Sequence, residues 1–300
     1  MTVVFATFPW KLMAQEVTLA VIGGSGLYEM DEMKVEREVN PDTPWGKPSD
    51  SIVIGNLDGI LVAFLARHGK GHFLNPTEIP VRANMAALKS LGVQHILSFS
   101  AVGSLREEIA PEHFVLPTQI IDRTKGIRPS TFFEEGAVAH AMFGDPFSES
   151  IASIVKKHAP AALDVPLHTD KTLVCMEGPA FSTRAESMMY RSLNADIINM
   201  SVLPEAKLAR EAEINYQMVC MSTDYDSWRE EEESVTVEQI LGFLKSNAAR
   251  ARKLARACIP DLAKIENPLI GTMQHGIITA PDRRGKVAME RLKYLFPNLS

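Results

Sequence analysis

Residues 196–228, DIINMSVLPEAKLAREAEINYQMVCMSTDYDSW, decide the fold. DIINMS (196–201) reads as a short buried strand, PEAKLAREAE (204–213) as a helix opening on proline, and NYQMVCM (215–221) as a second buried strand. Strand, helix, strand in this order is the repeating unit of an α/β protein. Both strands run into polar residues: Asn199-Met200-Ser201 after the first, Thr223-Asp224-Tyr225-Asp226 after the second. Ligands of open α/β sheets bind outside the carboxyl ends of the strands, so the same stretch raises the question of function.

The pattern continues outward. VTLAVIGG (17–24) reads as a buried strand entering a glycine turn, and 51–69 as a hairpin about Leu57-Asp58-Gly59. A helix is expected over about 80–91, with Pro80 at its first position, Val81, Met85 and Leu88 on one face, and Gly92 as its stop. HILSFS (95–100), FVLPTQII (114–121) and TLVCME (172–177) read as further strands, and Pro117 marks an edge or a bulge in the second. STRAESMMYRSL (182–193) reads as a helix with Ser182 as candidate N-cap, and a last helix is expected over about 236–263. The stretch 123–149 has little periodicity and reads as a long functional loop. The expectation is one α/β domain over 17–300, a central mixed β-sheet flanked by helices, after an N-terminal extension over 1–16.

Composition narrows the function classes. The chain has 300 residues, 46% hydrophobic and 23% charged, which is ordinary for a globular protein. A net charge of −6 without a long basic run argues against nucleic acid. The N-terminus lacks the charged n-region and small-residue cleavage site of a secretory signal, and no run of 18 apolar residues suggests a membrane span. Cys175, Cys220 and Cys258 have neither metal nor disulfide spacing and read as buried thiols in a reducing compartment, the cytoplasm, with the nucleus open in a eukaryote.

The strand ends together offer Gly23-Gly24-Ser25-Gly26, Arg67-His68-Gly69, Ser100-Ala101-Val102-Gly103-Ser104, Glu177-Gly178-Pro179 and the two stretches above. An arginine, a histidine, hydroxyls and glycine-freed N–H groups suit a phosphate. Each has a plainer reading: a tight turn at 23–26, a surface ion-pair donor at Arg67, a hydrogen-bonded core histidine at His68. A dinucleotide fingerprint would need a third glycine at 29, which is glutamate. Asp224 and Asp226, one residue apart, share a side of an extended chain. They serve either as a solvated turn with an Asx cap or as a pair sharing one proton. Such a pair matches adenine: the acid donates to N7 and the carboxylate accepts from the 6-amino group. A 6-oxopurine would put an oxygen against Asp226.

Read in order, VIGGSGL (21–27), TPWGKPSD (43–50), LARHGKGH (65–72), AVGSLREE (101–108), MEGPAFSTRAES (176–187), INMSVLPEAKLARE (198–211) and STDYDSW (222–228) resemble the trimeric purine nucleoside phosphorylase family, and within it the 5′-methylthioadenosine phosphorylases. The likeness spans roughly 20–245. It implies phosphorolysis of methylthioadenosine to adenine and 5-methylthioribose 1-phosphate, with inorganic phosphate as co-substrate, no metal, no organic cofactor, and a homotrimer with sites near subunit interfaces. It assigns phosphate to Ser25, Arg67, His68, Ser100, Ser201 and the Ala101 N–H. It assigns the base to Phe181, Ser182, Asp224 and Asp226, and the ribose to Asn199 and Met200; Asp224, Asp226 and Met200 carry the catalytic roles. Val237, Ile240 and Leu241 would line the methylthio pocket, and His140 would come from a neighbouring subunit. Serines at 25, 100 and 201 stand where the family often has threonine, and Ala180 where arginine is frequent. A phosphorylase of 6-oxopurine nucleosides and a non-catalytic nucleoside-binding subunit are the competing readings.

Overall fold

The computed structural model describes residues 17–24, 33–229 and 237–299, with backbone only at 237–241 and 244. In chain order the strands are β1 (Leu19–Gly23), β2 (Lys34–Val39), β3 (Ile52–Leu57), β4 (Ile60–Ala66), β5 (His95–Ser104), β6 (Phe114–Arg123), β7 (Leu167–Met176), β8 (Ile197–Asn199) and β9 (Asn215–Tyr225). The helices are α1 (Val81–Ser90), α2 (Glu149–Ala162), α3 (Arg184–Ser192), α4 (Val202–Glu211), α5 (Val237–Leu262) and α6 (Lys286–Leu292). The strands form one mixed sheet in the order β2-β3-β4-β1-β5-β8-β7-β6-β9, and β9 pairs back onto β5. The expected central mixed sheet is therefore present, and part of it closes: β5, β8, β7, β6 and β9 form a ring, with β1, β4, β3 and β2 as an open wing.

Alternation along the strands builds the two core layers. Ala20 and Ile22 of β1 pack with Met85 and Leu88 of α1 and Leu208 of α4, while Leu19 and Val21 face Ile151 and Val155 of α2 and Leu254 and Cys258 of α5. The hairpin turn at Asp58-Gly59 has both residues at positive φ, 53° and 87°, as a tight two-residue turn requires. All three cysteines are free and buried.

Several boundaries differ from the sequence reading, each for a local reason. Pro80 stands at the N-cap of α1 rather than inside it. β5 continues past Ser100 to Ser104 because its last residues pair with both β8 and β9. Pro117 sits at a register shift against β7, so it marks a bulge and not an edge. The N-cap of α3 is Thr183, not Ser182: the Thr183 side chain accepts from Glu186 N, and Glu186 Oε2 accepts from Thr183 N at 2.8 Å. β2 and α2 go beyond the sequence reading. β2, KVEREV, is an exposed end strand in which charge hides the alternation. α2 carries Pro160 in its last turn and is held by its Ser148 cap and by buried Ile151, Ile154 and Val155. The stretch 124–148 has no helix or strand, as expected, yet it is packed down by Arg128, Phe132, Phe133 and Ala137.

Removing the cap at α3 tests this local account. Thr183→Ala is expected to cost about 1 kcal/mol, read as a lower urea midpoint at unchanged slope.

Candidate active site

Arg67 follows β4 directly, and its N–H bonds Gly23 O at 2.9 Å, which ties it to the glycine turn after β1. The residue is only 2% exposed. Nε donates to Glu205 Oε2 at 2.7 Å, Nη2 to Glu205 Oε1 at 2.8 Å and to Ser98 Oγ at 2.5 Å, and Nη1 to Phe99 O at 2.8 Å. Four of its five N–H donors are thus committed to described residues. Glu205, on α4, also accepts from Ser98 Oγ at 2.8 Å and Tyr216 Oη at 2.7 Å. Burial works against the Glu205 charge, but Arg67, Tyr216 and Ser98 outweigh it and hold the carboxyl below its ordinary value. This buried bidentate pair sets aside the plainer reading of Arg67 as a surface ion-pair donor.

His68 lies beside it. Its Nδ1 stands 2.8 Å from Leu74 O, and its ring stacks on His72 at 4.1 Å between centroids. Burial, with Arg67 beside it, pushes the imidazole down to about 4. A carbonyl only accepts, so Nδ1 carries the proton and the neutral ring presents Nε2 as an acceptor. Ser100 of β5 and Ser201, the N-cap of α4, meet at 3.2 Å between hydroxyl oxygens. The Ser201 side chain makes no cap bond to its own helix. Asn199 Nδ2 donates to Ser100 Oγ at 3.2 Å, and Val202 N donates to Asn199 Oδ1 at 3.4 Å. Ala101 neighbours this group, accepting at its carbonyl from Ser100 Oγ at 3.0 Å.

The two acids lie further along the same strand pair. β5 and β9 run parallel, with Val102 opposite Ser222 and Gly103 opposite Asp224, so Thr223 bulges out of register. A Cβ on Gly103 would fall 3.3 Å from Asp224 Oδ2 and 3.5 Å from Asp226 Cβ, which brings both acids to one spot over a glycine. Thr223 Oγ1 donates to Asp224 Oδ1 at 2.7 Å. Burial, followed by repulsion from Asp226, raises the Asp224 carboxyl to about 6 against the Thr223 hydroxyl. Burial raises Asp226 as well. Asp226 is 5% exposed, and its Oδ2 has no hydrogen-bond partner among the described residues. The turn is pinned to β5, since Asp226 N and Trp228 Nε1 both donate to Ser104 O, at 3.0 and 2.8 Å. The solvated-turn reading of these acids is set aside by that burial.

A sequence model of the phosphorylase superfamily matches residues 18–260. The chain belongs to that superfamily. It is 55% identical to the S-methyl-5′-thioadenosine phosphorylase of Candida albicans (strain SC5314 / ATCC MYA-2876), over 94% of this chain and 88% of the relative. It is 54% identical to the S-methyl-5′-thioadenosine phosphorylase of Schizosaccharomyces pombe, over 96% of this chain and 98% of the relative. A solved methylthioadenosine phosphorylase sourced from an antarctic soil metagenomic library is 44% identical with a TM-score of 0.89, over 93% of this chain and 99% of that one. The resemblance read from the sequence motifs is therefore correct at the level of the superfamily and of its methylthioadenosine branch.

The remaining residues that the phosphorylase resemblance singles out are placed unevenly. Ser182 is buried near β7, its hydroxyl 3.5 Å from Met176 Sδ, and Ser227 Oγ holds its carbonyl at 2.7 Å. Phe181 is 67% exposed, so within this chain it is not packed into a pocket. Met200 lies against Gly178, where an added Cβ would fall 2.3 Å from its Sδ. His140 is exposed in the long segment, its N–H bonded to Gly276 O at 2.9 Å. Ser25 lies outside the described residues, and Val237, Ile240 and Leu241 lie in α5 where only backbone is described. Glu205 and Arg128 escape the sequence reading. Glu205 shares a helix face with buried Leu208 and Ala209, and an acid at a core position signals a buried cationic partner.

The raised Asp224 carboxyl has a consequence for stability whose sign follows from linkage. A folded-state value of about 6 against 3.8 means that the fold favours the protonated acid, so stability falls as pH rises from about 4 to about 6, by up to about 3 kcal/mol, and stays lowered above. Asp224→Asn is therefore expected to melt higher than the parent at pH 8 and alike near pH 4; an equal gain at both pH values would contradict the buried, protonated acid.

Proposed function

We propose that this chain is a pentosyltransferase that cleaves S-methyl-5′-thioadenosine with phosphate, giving adenine and 5-methylthioribose 1-phosphate. The observation that carries the reading is the β5–β9 pair. It holds hydroxyls and a buried arginine near Ser100 and two coupled acids at Gly103, three residues further on. Three extended residues span about 10 Å, which suits a nucleoside held between an attacking phosphate and groups at the far edge of its base.

Phosphate binds over Ser100, Ser201 and the Ala101 N–H. Arg67 contributes the Nη1 proton that no described residue takes up and a charge already balanced by Glu205. Neutral His68 accepts at Nε2 from the P–OH of a monohydrogen phosphate. Departure of the base leaves a ribosyl cation-like centre, and the anion held on one face stabilises and captures C1′. Across the sugar, Asp224 is the group poised to be protonated and donates to purine N7 as negative charge builds there. Asp226 takes the 6-amino group at Oδ2, which has no hydrogen-bond partner among the described residues. Ser182 and Phe181 complete the base site, Asn199 and Met200 the ribose site, and Val237, Ile240 and Leu241 an apolar pocket for the thioether. A buried 5′-hydroxyl would be left unsatisfied there, which favours the methylthio substrate over adenosine.

The working unit in this reading is a homotrimer in which His140 reaches a neighbour's site. Exposed Phe181, Met188, Met189 and Leu193 in and beside α3, and Val138, Met142 and Ile278 around His140, are apolar surface of the kind a neighbouring subunit covers.

The deciding assay follows purine release from methylthioadenosine, adenosine and inosine, each with and without phosphate. Phosphate-dependent release of adenine, fastest from methylthioadenosine, is expected; release independent of phosphate overturns the reading. Asp226→Asn is expected to lower kcat/KM for methylthioadenosine about a hundredfold, as loss of a buried charged hydrogen bond implies, and to shift preference toward the 6-oxopurine. An unchanged preference would show that Asp226 does not face the 6-position.

A further inference from the structure

We propose that Arg128 is a positioning residue for ribose recognition: one buried guanidinium fastens the Met200 carbonyl to the Glu177-Gly178 turn and so sets the backbone that meets the sugar hydroxyls. This rests on the reading of Met200 as part of the ribose site.

Arg128 belongs to the packed segment between β6 and α2 and is 6% exposed. Its donors go to three separate residues at strand and helix ends. Nε donates to Glu177 Oε1 at 2.7 Å, Nη1 to Met200 O at 2.6 Å and to Leu203 O at 2.8 Å, and Nη2 to Glu177 O. The Glu177 carboxylate is itself fixed, since Thr77 Oγ1 donates to Oε1 at 2.6 Å and Lys125 N to Oε2 at 2.7 Å. Burial opposes the Glu177 charge, and these hydrogen bonds with Arg128 nonetheless hold the carboxyl below its ordinary value. The counter-ion that orients Arg128 therefore stays charged through the neutral range.

Met200 is gripped from two directions. Its carbonyl is held by Arg128, and its side chain lies on Gly178, which has φ of 67° and no room for a Cβ beside the Met200 sulfur. The residues on either side, Asn199 and Ser201, are tied to the Ser100 hydroxyl at 3.2 Å each. The 199–201 stretch is thus anchored to the phosphate group through Ser100 and to the Glu177 turn through Arg128, and Met200 lies between the two anchors. The two-pronged Nη1 contact to Met200 O and Leu203 O also fixes the entry of α4. A planar guanidinium reaches divergent carbonyls and a carboxylate at once; a lysine ammonium at the end of a shorter stem cannot reproduce the fork.

The test compares the ratio of kcat/KM for methylthioadenosine to that for its 2′-deoxy counterpart, together with the phosphate KM, in the full-length parent, Arg128→Lys and Glu177→Gln. Arg128→Lys is expected to lower the ratio about tenfold, the worth of one or two misaligned hydrogen bonds, with the phosphate KM changed less than about twofold. Glu177→Gln, which loosens Arg128 without removing it, should lower the ratio about threefold, and it serves alone if Arg128→Lys does not fold. Equal losses on both nucleosides, leaving the ratio intact, would overturn the assignment and make Arg128 a structural residue only. A parent enzyme without phosphate-dependent adenine release would instead sink the functional reading on which the inference rests.

Discussion

The parallel pairing of β5 with β9 is the constraint on which the rest of the molecule depends. It runs from His95 opposite Asn215 to Ser104 opposite Tyr225, slips by one residue at Thr223, and closes the ring of five strands. Because it is buried on both faces, its register is fixed by packing: a one-residue shift would drive the whole apolar set of β9 to the wrong side. That fixed register sets Asp224 opposite Gly103, three residues along β5 from Ser100, and places the slip just where the two carboxyls come together. Function here is a matter of strand register before it is a matter of side-chain chemistry.

Arg67 and Glu205 form an ion pair that solvent barely touches, with side-chain exposures of 3% and 1%. Such pairs contribute little net stability relative to an apolar core, but removing one partner costs about 3–5 kcal/mol because the other is left charged and buried. The arginine is therefore a structural tie between β4, β5 and α4. A change at Arg67 thus perturbs the fold, and any effect it has on a ligand cannot be read as binding alone. Nearby on β5, Ser100 Oγ is held by Asn199 Nδ2, Ser201 Oγ and the Ala101 carbonyl, while the Ser201 side chain makes no cap bond to its own helix.

Much of this was legible in the sequence where the signal was local. Apolar runs marked the strands, Gly59 the hairpin and the Asp-x-Asp spacing the acid pair. What was not legible was non-local. No residue in FVLPTQII or NYQMVCM announces that β6 and β9 share a short antiparallel pairing at Phe114–Val115, so the closed ring was hidden behind an open sheet. Adjacent hydroxyls at Ser182 and Thr183 are equivalent in sequence, and only the reach of Glu186 selects the second as cap, leaving Ser182 to turn toward β7. Arg128 sits in a segment without periodicity, and its three anchoring residues lie far along the chain.

Ring closure leaves β2 as the end strand of the open wing, and its sequence is suited to that place. Lys34, Glu36, Arg37 and Glu38 alternate sign along it, and the register against β3 slips between Val35 and Arg37. A bent, charged border of this kind offers a poor template for strand addition from another chain. The border strand thus discourages edge-to-edge pairing, and among the described residues the large exposed apolar side chains other than Val35 lie on helix and loop faces, where association is bounded by shape.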